Sequence, residues 1–377
     1  MDVTRLKSSW QQVAEYGDEV PLFFYSSLFL THPEVRSLFP VSMALQRDRL
    51  VGALGRIVSD VDRVDELVPF LQHLGRDHRK FAVLAEHYPA VGEALLHTLS
   101  HFLGTRWTSD LAADWTAAYG LVAQVMTEAA DASAKETPPW WDATIVSHDR
   151  RAPDLAVMTI EPHQRLSFRP GQSLAVETPL RPNLWRYYTP ANAPRVNDTI
   201  DLHVRVVGGG PVSTTLVQGV RVGDALRLGP PVGERLTLSG REDVVLIAGG
   251  TGIAPFKALI DQVRSEGGDR RVYLFAGGPT RRSLYDLRAL RALAEAQPWL
   301  RVVPCVSREA ASDGVEGGDA VDVALRHGPW RSESVYVCGS PDMVAGSVHR
   351  LAEYGLPRER VHVEEFTTGT EPIGGIS

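Results

Sequence analysis

Two short motifs in the C-terminal two thirds of the chain carry residue types suited to nucleotide chemistry. Arg186-Tyr187-Tyr188-Thr189 combines a guanidinium, whose donor fork suits a phosphate, with a flat phenol ring and a hydroxyl. Gly250-Thr251-Gly252-Ile253-Ala254-Pro255 follows a continuous apolar run and opens a helical pattern. Glycines in that context let the backbone approach a pyrophosphate, and the helix N-terminus supplies free N–H groups. The first motif therefore predicts a flavin site and the second a nicotinamide dinucleotide site.

Each motif also has a simpler interpretation. The glycine string alone could be an ordinary turn between a strand and a helix, and the arginine and tyrosines could be surface and strand-packing residues. Cys338, in an apolar strand-like run, would by itself be a buried strand cysteine. Arg281 and Arg282 follow the second strand of the predicted parallel sheet, where they could read a 2′-phosphate or be solvated loop residues. The choice between NADH and NADPH therefore stays open.

The rest of the sequence predicts three kinds of structure around these motifs. Residues 1–135 carry helical periodicity, residues 136–238 alternate as short strands separated by turns, and residues 239–377 alternate buried strands with helices. The middle pattern is typical of a small antiparallel barrel and the last of a doubly wound parallel sheet. We therefore expect a multidomain protein: an all-α domain, a β-barrel domain and an α/β domain with a short flexible tail from Thr367.

Composition narrows the class of partners. The 377-residue chain has a net charge of −7, which argues against a general binder of nucleic acid or anionic membranes. No apolar run is long enough to span a membrane, and the N-terminus lacks the apolar core of a signal peptide. Two cysteines in apolar contexts, Cys305 and Cys338, suit a reducing cytoplasm. We expect a cytoplasmic protein that acts on small molecules, without nucleic acid, stable membrane association or an obligatory protein partner.

The helical region must receive electrons if the two motifs form a flavin reductase. It contains no cysteine, which excludes a cysteine-ligated iron–sulfur cluster and favours a haem held by histidine. Leu71, Leu74 and His78 share the apolar face of one helix, whereas His73 falls on its polar side. The six histidines before residue 136 are His32, His73, His78, His87, His97 and His101. His78 is therefore the best candidate, with charged neighbours expected in solvent on its flanks: Asp77, Arg79 and Lys80.

Further motifs occur in the same order as in a known reductase family. Arg169-Pro170-Gly171-Gln172 precedes the arginine motif, Gly209-Gly210-Pro211-Val212-Ser213 follows it, and Cys338-Gly339-Ser340 comes near the end. Residues 140 to 366 resemble the ferredoxin–NADP reductase family. The resemblance implies the following sites: FAD phosphates at Arg186, Val212 and Ser213, the flavin ring at Tyr188 and Thr189, the dinucleotide pyrophosphate at Gly250, Thr251 and Gly252, the nicotinamide at Cys338 and Gly339, and a flavin cover at Phe366.

The helical region resembles a family too. His78 is followed ten residues later by Tyr88 in the string Tyr88-Pro89-Ala90-Val91-Gly92, which is similar to the proximal region of flavohaemoglobins. That resemblance covers the whole chain in order, as a globin, an FAD-binding barrel and an NAD(P)-binding domain. It implies that His78 is the axial ligand of a haem b iron and that Tyr88 hydrogen-bonds around the proximal face.

The distal side of the implied haem pocket matches as well. Tyr25 stands where the family has its ligand-stabilising tyrosine, and Phe39 resembles the phenylalanine that packs on the haem. Gln46 and Leu50 are spaced i, i+4, so both can face the iron from one helix. Without the family comparison, Tyr25 would be interpreted as a core tyrosine and Gln46 as a solvated residue.

Two departures from the family pattern concern the proximal side. Asp77 stands where the family usually has lysine, and Ala130 stands where it has a glutamate that completes a His-Tyr-Glu network. Glu128 is the nearest carboxylate, about 200° around an ideal helix from Ala130. The network is therefore expected to be incomplete or rebuilt, and an incomplete network would weaken the push of the imidazole on bound oxygen.

The resemblance implies an NAD(P)H-dependent nitric oxide dioxygenase, in which O2 and NO meet at a haem that is reduced through FAD. Two alternatives stay open. One is a haem-dependent peroxide or alkyl-hydroperoxide reductase, which the Ala130 departure disfavours. The other is a sensor of O2 or NO whose reductase half only resets the iron.

Overall fold

The structure is a computed structural model that describes residues 1–238, 240–267 and 269–365. Phe366 and the tail predicted to be flexible lie outside the described residues. The described part of the chain divides into two compact units, one within residues 1–140 and the other within residues 141–365. The predicted fold class is confirmed: a helical unit is followed by an antiparallel sheet and then a parallel sheet.

The first unit is built from six α-helices in its described part: α1 Val3–Ala14, α2 Glu19–Thr31, α3 Ala44–Ser59, α4 Val64–His78, α5 Tyr88–Leu103 and α6 Ser109–Ala134. Asp2 caps α1 and Thr108 caps α6, each accepting a main-chain N–H in the first turn. One face of each of α1, α2 and α5 is buried in a shared apolar core, as the helical periodicity predicts. Among the described residues, no helix is long and apolar enough to cross a membrane.

The first half of the second unit is a six-stranded antiparallel sheet with strand order β4-β3-β6-β1-β2-β5. This sheet is the one predicted to form a barrel, and we call it the barrel. Its strands are β1 Trp141–Ala152, β2 Leu155–Pro162, β3 Ser173–Glu177, β4 Arg186–Tyr188, β5 Ile200–Arg205 and β6 Ala225–Val232, with a short helix α7 Pro211–Thr214 between the last two. Alternate residues of these strands point into one apolar core, which explains the period-two pattern of the sequence.

The second half is a parallel sheet with strand order β10-β9-β8-β7-β11-β12. Its elements are β7 Val244–Gly249, α8 Ile253–Glu266, β8 Val272–Gly278, α9 Leu287–Ala296, β9 Leu300–Val306, β10 Glu316–Gly317, α10 Ala320–His327, β11 Ser334–Gly339, α11 Pro341–Glu353 and β12 Val361–Glu365. Val244 and Leu246 belong to one core, and Val245 and Ile247 to another. Because both faces are covered, β7 is continuously apolar, and its carboxyl end is available for a ligand.

Candidate functional site

His78 is the last residue of α4, where the helix packs closely on α6. A Cβ atom on Gly75 would lie 2.2 Å from the main-chain oxygen of Met126, so only glycine permits this approach. The His78 Nδ1 atom lies 2.7 Å from the carbonyl oxygen of Leu74, one turn earlier. A carbonyl accepts only from a protonated nitrogen, so Nδ1 carries a hydrogen, and in the neutral imidazole Nε2 then has the lone pair. A histidine that ligates a metal is usually held in this way. The geometry therefore fits His78 as an iron ligand.

The prediction that the flanks of His78 are solvated is wrong for Lys80, which is 3% exposed. Its ammonium donates to Asp77 Oδ1 over 2.6 Å and lies 5.2 Å from the centre of the Phe81 ring. Arg79 donates to the main-chain oxygen of Thr137 over 2.5 Å. A short 3-10 turn after α4 folds these side chains inward, and the ion pair offsets the cost of burying the lysine. His73, predicted on the polar side, is half-buried.

The proximal carboxylate predicted to be missing is not replaced by Glu128. Glu128 is exposed and accepts from Gln124 Nε2 over 2.8 Å on the outer side of α6. Tyr88 is the half-buried first residue of α5, and burial raises the pKa of its phenol to about 12. The Tyr119 hydroxyl donates to the main-chain oxygen of Tyr88 over 2.5 Å. The acceptor at His78 Nδ1 is thus a neutral carbonyl, a weaker base than a carboxylate network would provide.

Tyr25 lies in α2 with its ring buried among aromatic side chains. Phe39 meets it edge-on at 5.6 Å between ring centres, and Phe29 stacks on it at 5.8 Å. Burial raises the pKa of Tyr25 above its usual range, so the phenol keeps its proton. Its hydroxyl donates to the main-chain oxygen of Gln46 over 3.4 Å, which is long for an O–H···O bond. Leu50, one turn after Gln46, packs against the same core. The structure therefore brings the four predicted distal residues together.

One residue of this region was not singled out by the sequence reasoning. Arg49 lies on α3, one turn after Gln46, and two of its guanidinium nitrogens, Nε and Nη2, are buried. Its positive charge opposes the rise of the Tyr25 pKa that burial causes. The i, i+3 spacing from Gln46 was visible in the sequence and is the signal that could have identified it.

The residues predicted to bind a flavin lie on β4, directly after β4 and in α7. Arg186 begins β4 and its Nη1 donates to the main-chain oxygen of Trp185 over 2.7 Å. Tyr188 is paired with Leu174 of β3 and packs against the barrel core. Thr189, which follows β4, is buried. A short antiparallel pair therefore presents the guanidinium, the ring and the hydroxyl in sequence, as the motif predicts.

Val212 and Ser213 are buried in α7, which follows the glycine-rich turn after β5. The Ser213 hydroxyl donates to the main-chain oxygen of Gly210 and accepts from the main-chain N–H of Val207, both over 3.2 Å. These two bonds hold the turn in one conformation. The segment can therefore present its main-chain N–H groups to a phosphate, which is the role predicted for it.

The dinucleotide motif lies at the carboxyl end of β7. Gly250 has a φ of +57°, which favours glycine, and Gly252 approaches the neighbouring strand closely. A Cβ atom on Gly252 would lie 2.1 Å from the main-chain oxygen of Cys338. Thr251 lies between these two glycines, and Gly339 follows Cys338 at the end of β11. The structure thus joins the glycine loop to the Cys338-Gly339 pair.

Glu364 completes this edge of the sheet, although the sequence reasoning had not assigned it a role. It is paired with Cys338 in the parallel register of β11 and β12. Its Oε1 accepts from the Ser173 hydroxyl over 3.0 Å, and Ser173 Oγ lies 2.8 Å from Thr189 Oγ1. Burial raises the pKa of Glu364 to about 7, although the hydrogen bonds from Ser173 and Thr189 oppose the rise. A carboxyl that gains and loses a proton near neutrality therefore lies beside the residues predicted to meet both cofactors.

Arg281 and Arg282 lie in a short 3-10 turn after β8, and the structure separates their roles. The Arg281 guanidinium donates to Asp313 Oδ2 over 3.2 Å and to the main-chain oxygen of Ala310 over 3.0 Å. Its main-chain N–H donates to a carboxylate oxygen of Glu309 over 2.9 Å. Arg282 is exposed. Arg281 therefore connects this turn to the loop that follows β9 through hydrogen bonds.

Comparison with known proteins finds three domain families in chain order. The family described as Globin matches residues 22–126, the Oxidoreductase FAD-binding domain matches residues 141–236, and the Oxidoreductase NAD-binding domain matches residues 246–349. A Flavohemoprotein of Deinococcus radiodurans is 28% identical over 386 residues, which cover 96% of this chain and 95% of the relative.

Two solved structures are similar to this chain over different lengths. A flavohemoglobin from Malassezia yamatoensis with bound FAD and heme covers 97% of this chain and 98% of its own, with a TM-score of 0.74 and 19% identity. An Amycolatopsis cytochrome P450 reductase covers 62% of this chain and 72% of its own, with a TM-score of 0.57 and 30% identity. The first match extends over the whole three-domain order, and the relative from Deinococcus radiodurans, a flavohemoprotein, also spans 96% of this chain. The chain therefore contains a globin domain followed by FAD-binding and NAD-binding oxidoreductase domains, and it is similar to flavohaemoglobins over almost its whole length.

Proposed function

We propose that this protein is an NAD(P)H-dependent nitric oxide dioxygenase. Per NAD(P)H oxidised, two NO and two O2 molecules would become two nitrate ions, with release of one proton. When bound, NAD(P)H would supply a hydride, FAD would convert its two electrons into single electrons, and haem b would supply the iron at which O2 and NO combine. We propose the domain bounds 1–135, 136–238 and 239–377 for the three cofactors, and a cytoplasmic location, which the two free cysteines suit.

The observation that carries this proposal is the Tyr25 hydroxyl. It is a buried, protonated donor in an aromatic pocket, and its bond to the Gln46 main chain is long at 3.4 Å. Such a donor gains more by turning to a ligand oxygen that carries negative charge, because a charge-assisted hydrogen bond is shorter and stronger than a neutral one. We infer that Tyr25, with Gln46 and Leu50 beside it, holds O2 for reaction with NO. Phe39 would pack against the haem.

His78 would ligate the iron through Nε2, with its orientation set by the Leu74 carbonyl at 2.7 Å. Tyr88 would contribute a hydrogen bond on the same side of the haem. This arrangement supports the dioxygenase over a peroxide reductase. Cleavage of a peroxide bond needs a strongly basic proximal histidine, whereas the acceptor here is a carbonyl and Glu128 is exposed.

The residues of the reductase half would bind and orient the cofactors. Arg186, with Val212 and Ser213, would bind the FAD phosphates. Tyr188 and Thr189 would border the ring. The Ser173 hydroxyl would donate its proton in a hydrogen bond to Glu364 Oε1, 3.0 Å away. This bond lies at the edge of the parallel sheet where the nicotinamide would bind. The nicotinamide dinucleotide would lie along Gly250, Thr251 and Gly252 and end at Cys338 and Gly339, and Phe366 would cover the flavin.

The test is NO consumption by the purified protein with NAD(P)H and O2, with nitrate measured as product. A dioxygenase turns over many NO molecules per haem and yields one nitrate for each. A sensor consumes about one NO per haem, and a peroxide reductase oxidises NAD(P)H on addition of an alkyl hydroperoxide without O2. Either of the last two results would overturn the proposal.

The variant Tyr25→Phe keeps the ring and removes the donor. Loss of one hydrogen bond worth about 1–3 kcal/mol should speed O2 dissociation from the ferrous protein about ten- to a hundredfold. NO consumption should fall, while reduction of cytochrome c by NAD(P)H, which needs only the reductase half, should not. Tyr16→Phe, at an exposed tyrosine, is the matched control. A change in O2 release smaller than about twofold would make Tyr25 a packing residue.

A further inference from the structure

A group of buried polar side chains lies between the barrel and the parallel sheet, apart from the residues assigned above. His203 is in the middle of β5 and is 6% exposed. Tyr285 comes between β8 and α9, 82 residues later, and its phenol oxygen lies 2.6 Å from His203 Nδ1. The two rings meet edge-on with centres 5.6 Å apart. One short hydrogen bond therefore joins a barrel strand to the nucleotide-binding half of this unit.

A second connection lies at the next residue. Asp286 is 3% exposed, and its Oδ2 accepts from Lys257 Nζ over 2.5 Å. Its Oδ1 lies 3.8 Å from Arg151 Nη1, on the barrel strand β1. Lys257 belongs to α8, the helix that begins at the glycine loop. The carboxylate therefore connects the barrel to the first helix of the nucleotide-binding half, with Lys257 as its closer partner.

The segment that carries both contacts also borders the predicted nucleotide cleft. Tyr285 and Asp286 line a small cavity together with Gly250, Gly277 and Ser283. That cavity lies at the carboxyl ends of β7 and β8, where open parallel sheets bind dinucleotides. The same two residues thus face the cleft and hold the barrel.

The protonation states make the His203–Tyr285 contact directional. Burial, with the positive charges of Lys257 and Arg151, holds the pKa of His203 well below its usual range. Burial and the charge of Asp286 raise the pKa of Tyr285 above its usual range. The phenol therefore keeps its proton and donates a hydrogen bond to Nδ1 of a neutral imidazole, whose own hydrogen is then on Nε2.

The imidazole is a costly way to fill this position. His203 Nε2 is buried, and it has no hydrogen-bond partner among the described residues. An unsatisfied buried polar atom costs about 1–3 kcal/mol. A leucine or phenylalanine would fill the same space without that cost. The histidine forms a hydrogen bond with Tyr285 that neither apolar residue could form. Its role is therefore to hold the Tyr285 segment in place.

We propose that His203 and Tyr285, supported by the Arg151–Asp286–Lys257 bridge, form a clasp that sets the position of the nucleotide-binding sheet against the barrel for hydride transfer. In that step NAD(P)H gives a hydride, with both electrons, to FAD, leaving NAD(P)⁺ and reduced flavin. The five residues of the clasp are positioning residues and do not touch the reacting atoms. The proposal rests on the NAD(P)H-to-FAD electron path of the proposed function and is independent of the haem chemistry.

The test is anaerobic stopped-flow reduction of the bound flavin by NAD(P)H in the FAD-loaded full chain. Tyr285→Phe should lower the limiting rate per bound flavin about tenfold, because small displacements of reacting groups slow transfer steeply. The kinetic isotope effect with 4-deuterated NAD(P)H should rise, since transfer itself then limits the rate. The dissociation constant for NAD(P)H should change less than about threefold. Tyr273→Phe, the same replacement in β8, is the control and should change none of these values.

Two further variants test the other side of each contact. His203→Leu should slow transfer as much as Tyr285→Phe, and the double variant should be no slower than either, because both remove the same bond. Arg151→Gln, at a side chain that is 38% exposed, leaves the core intact and should slow transfer about two- to threefold. Unchanged limiting rates and isotope effects in these folded variants would overturn the clasp.

A measurement on the protein without NAD(P)H tests the positioning of the Tyr285 segment independently of hydride transfer. Amide hydrogen exchange of residues 280–287 should quicken in Tyr285→Phe and His203→Leu and stay unchanged in Tyr273→Phe. Equal exchange in all variants would also overturn the clasp. If NAD(P)H fails to reduce the flavin of the unaltered protein, the electron path itself is rejected, and the clasp with it; normal reduction with unaffected variants rejects the clasp alone.

Discussion

Replacing Glu364 by glutamine tests the placement of a titrating carboxyl at the edge of the parallel sheet. Glu364→Gln keeps the shape of the side chain and its capacity to accept a hydrogen bond from Ser173, but it cannot ionise. In the unaltered protein burial raises the pKa of this carboxyl from its ordinary value of 4.5 to about 7. Its Oε2 is buried without a hydrogen-bond partner among the described residues. The folded protein therefore favours the protonated, neutral form of this carboxyl more than the unfolded chain does.

The raised pKa of Glu364 determines how the free energy of unfolding changes with pH. A group that binds its proton more tightly in the folded state contributes stability that is fully present below pH 4.5 and is lost as the pH rises through about 7. Each pKa unit corresponds to about 1.4 kcal/mol, so the full loss is about 3 kcal/mol. Glutamine has no such loss. The free energy of unfolding of Glu364→Gln should therefore rise relative to the unaltered protein by about 3 kcal/mol between about pH 4.5 and pH 8.

Denaturant unfolding of the second unit, followed by tryptophan fluorescence at several pH values, measures this difference. Infrared spectra report the protonated carboxyl directly, through a band that disappears near pH 7 and is absent in Glu364→Gln. Glu161→Gln, at an exposed position on β2, is the matched control and should show no such trend. A stability difference that does not vary with pH, together with a carboxyl that titrates near pH 4.5, would refute the burial argument for Glu364.

The remaining predictions concern the three cofactors. His78→Ala should lose haem and keep FAD because only the iron–nitrogen bond is removed, whereas His73→Ala should bind haem normally; a histidine-type ferrous spectrum in His78→Ala would show that another residue is the ligand. Arg186→Ala should raise the FAD dissociation constant about ten- to a hundredfold, since a charge-assisted bond is worth about 1.5–3 kcal/mol, and excess FAD should restore cytochrome c reduction. Gly252→Ala should retain FAD but reduce it poorly with NAD(P)H, because its Cβ would lie 2.1 Å from the Cys338 oxygen; unimpaired reduction would mean that this loop does not hold the dinucleotide.

Local patterns were sufficient to predict the elements and much of the candidate site. The period-two alternation of residues 141–146 and 156–160 became part of β1 and β2, and the unbroken apolar run at residues 244–248 became a strand covered on both faces. Leu71 and Leu74 pack in one apolar cluster, as their spacing predicts, and the role of His78 beside them stays a prediction. Periodicity reports which face of an element is buried, and these predictions needed nothing more.

The sequence by itself therefore determined the order of the three domains, the types of their elements, and the motifs predicted to face a haem, a flavin and a dinucleotide. Tertiary structure alone decided which distant side chains meet. Glu364 joins Ser173 across 191 residues, His203 joins Tyr285 across 82, and Lys80 turns inward to Asp77 although its position looked solvated. The physical reason is that a repeating pattern records only whether a face meets water or protein. The identity of a long-range partner, and with it a pKa or an ion pair, depends on how elements far apart in the chain are packed.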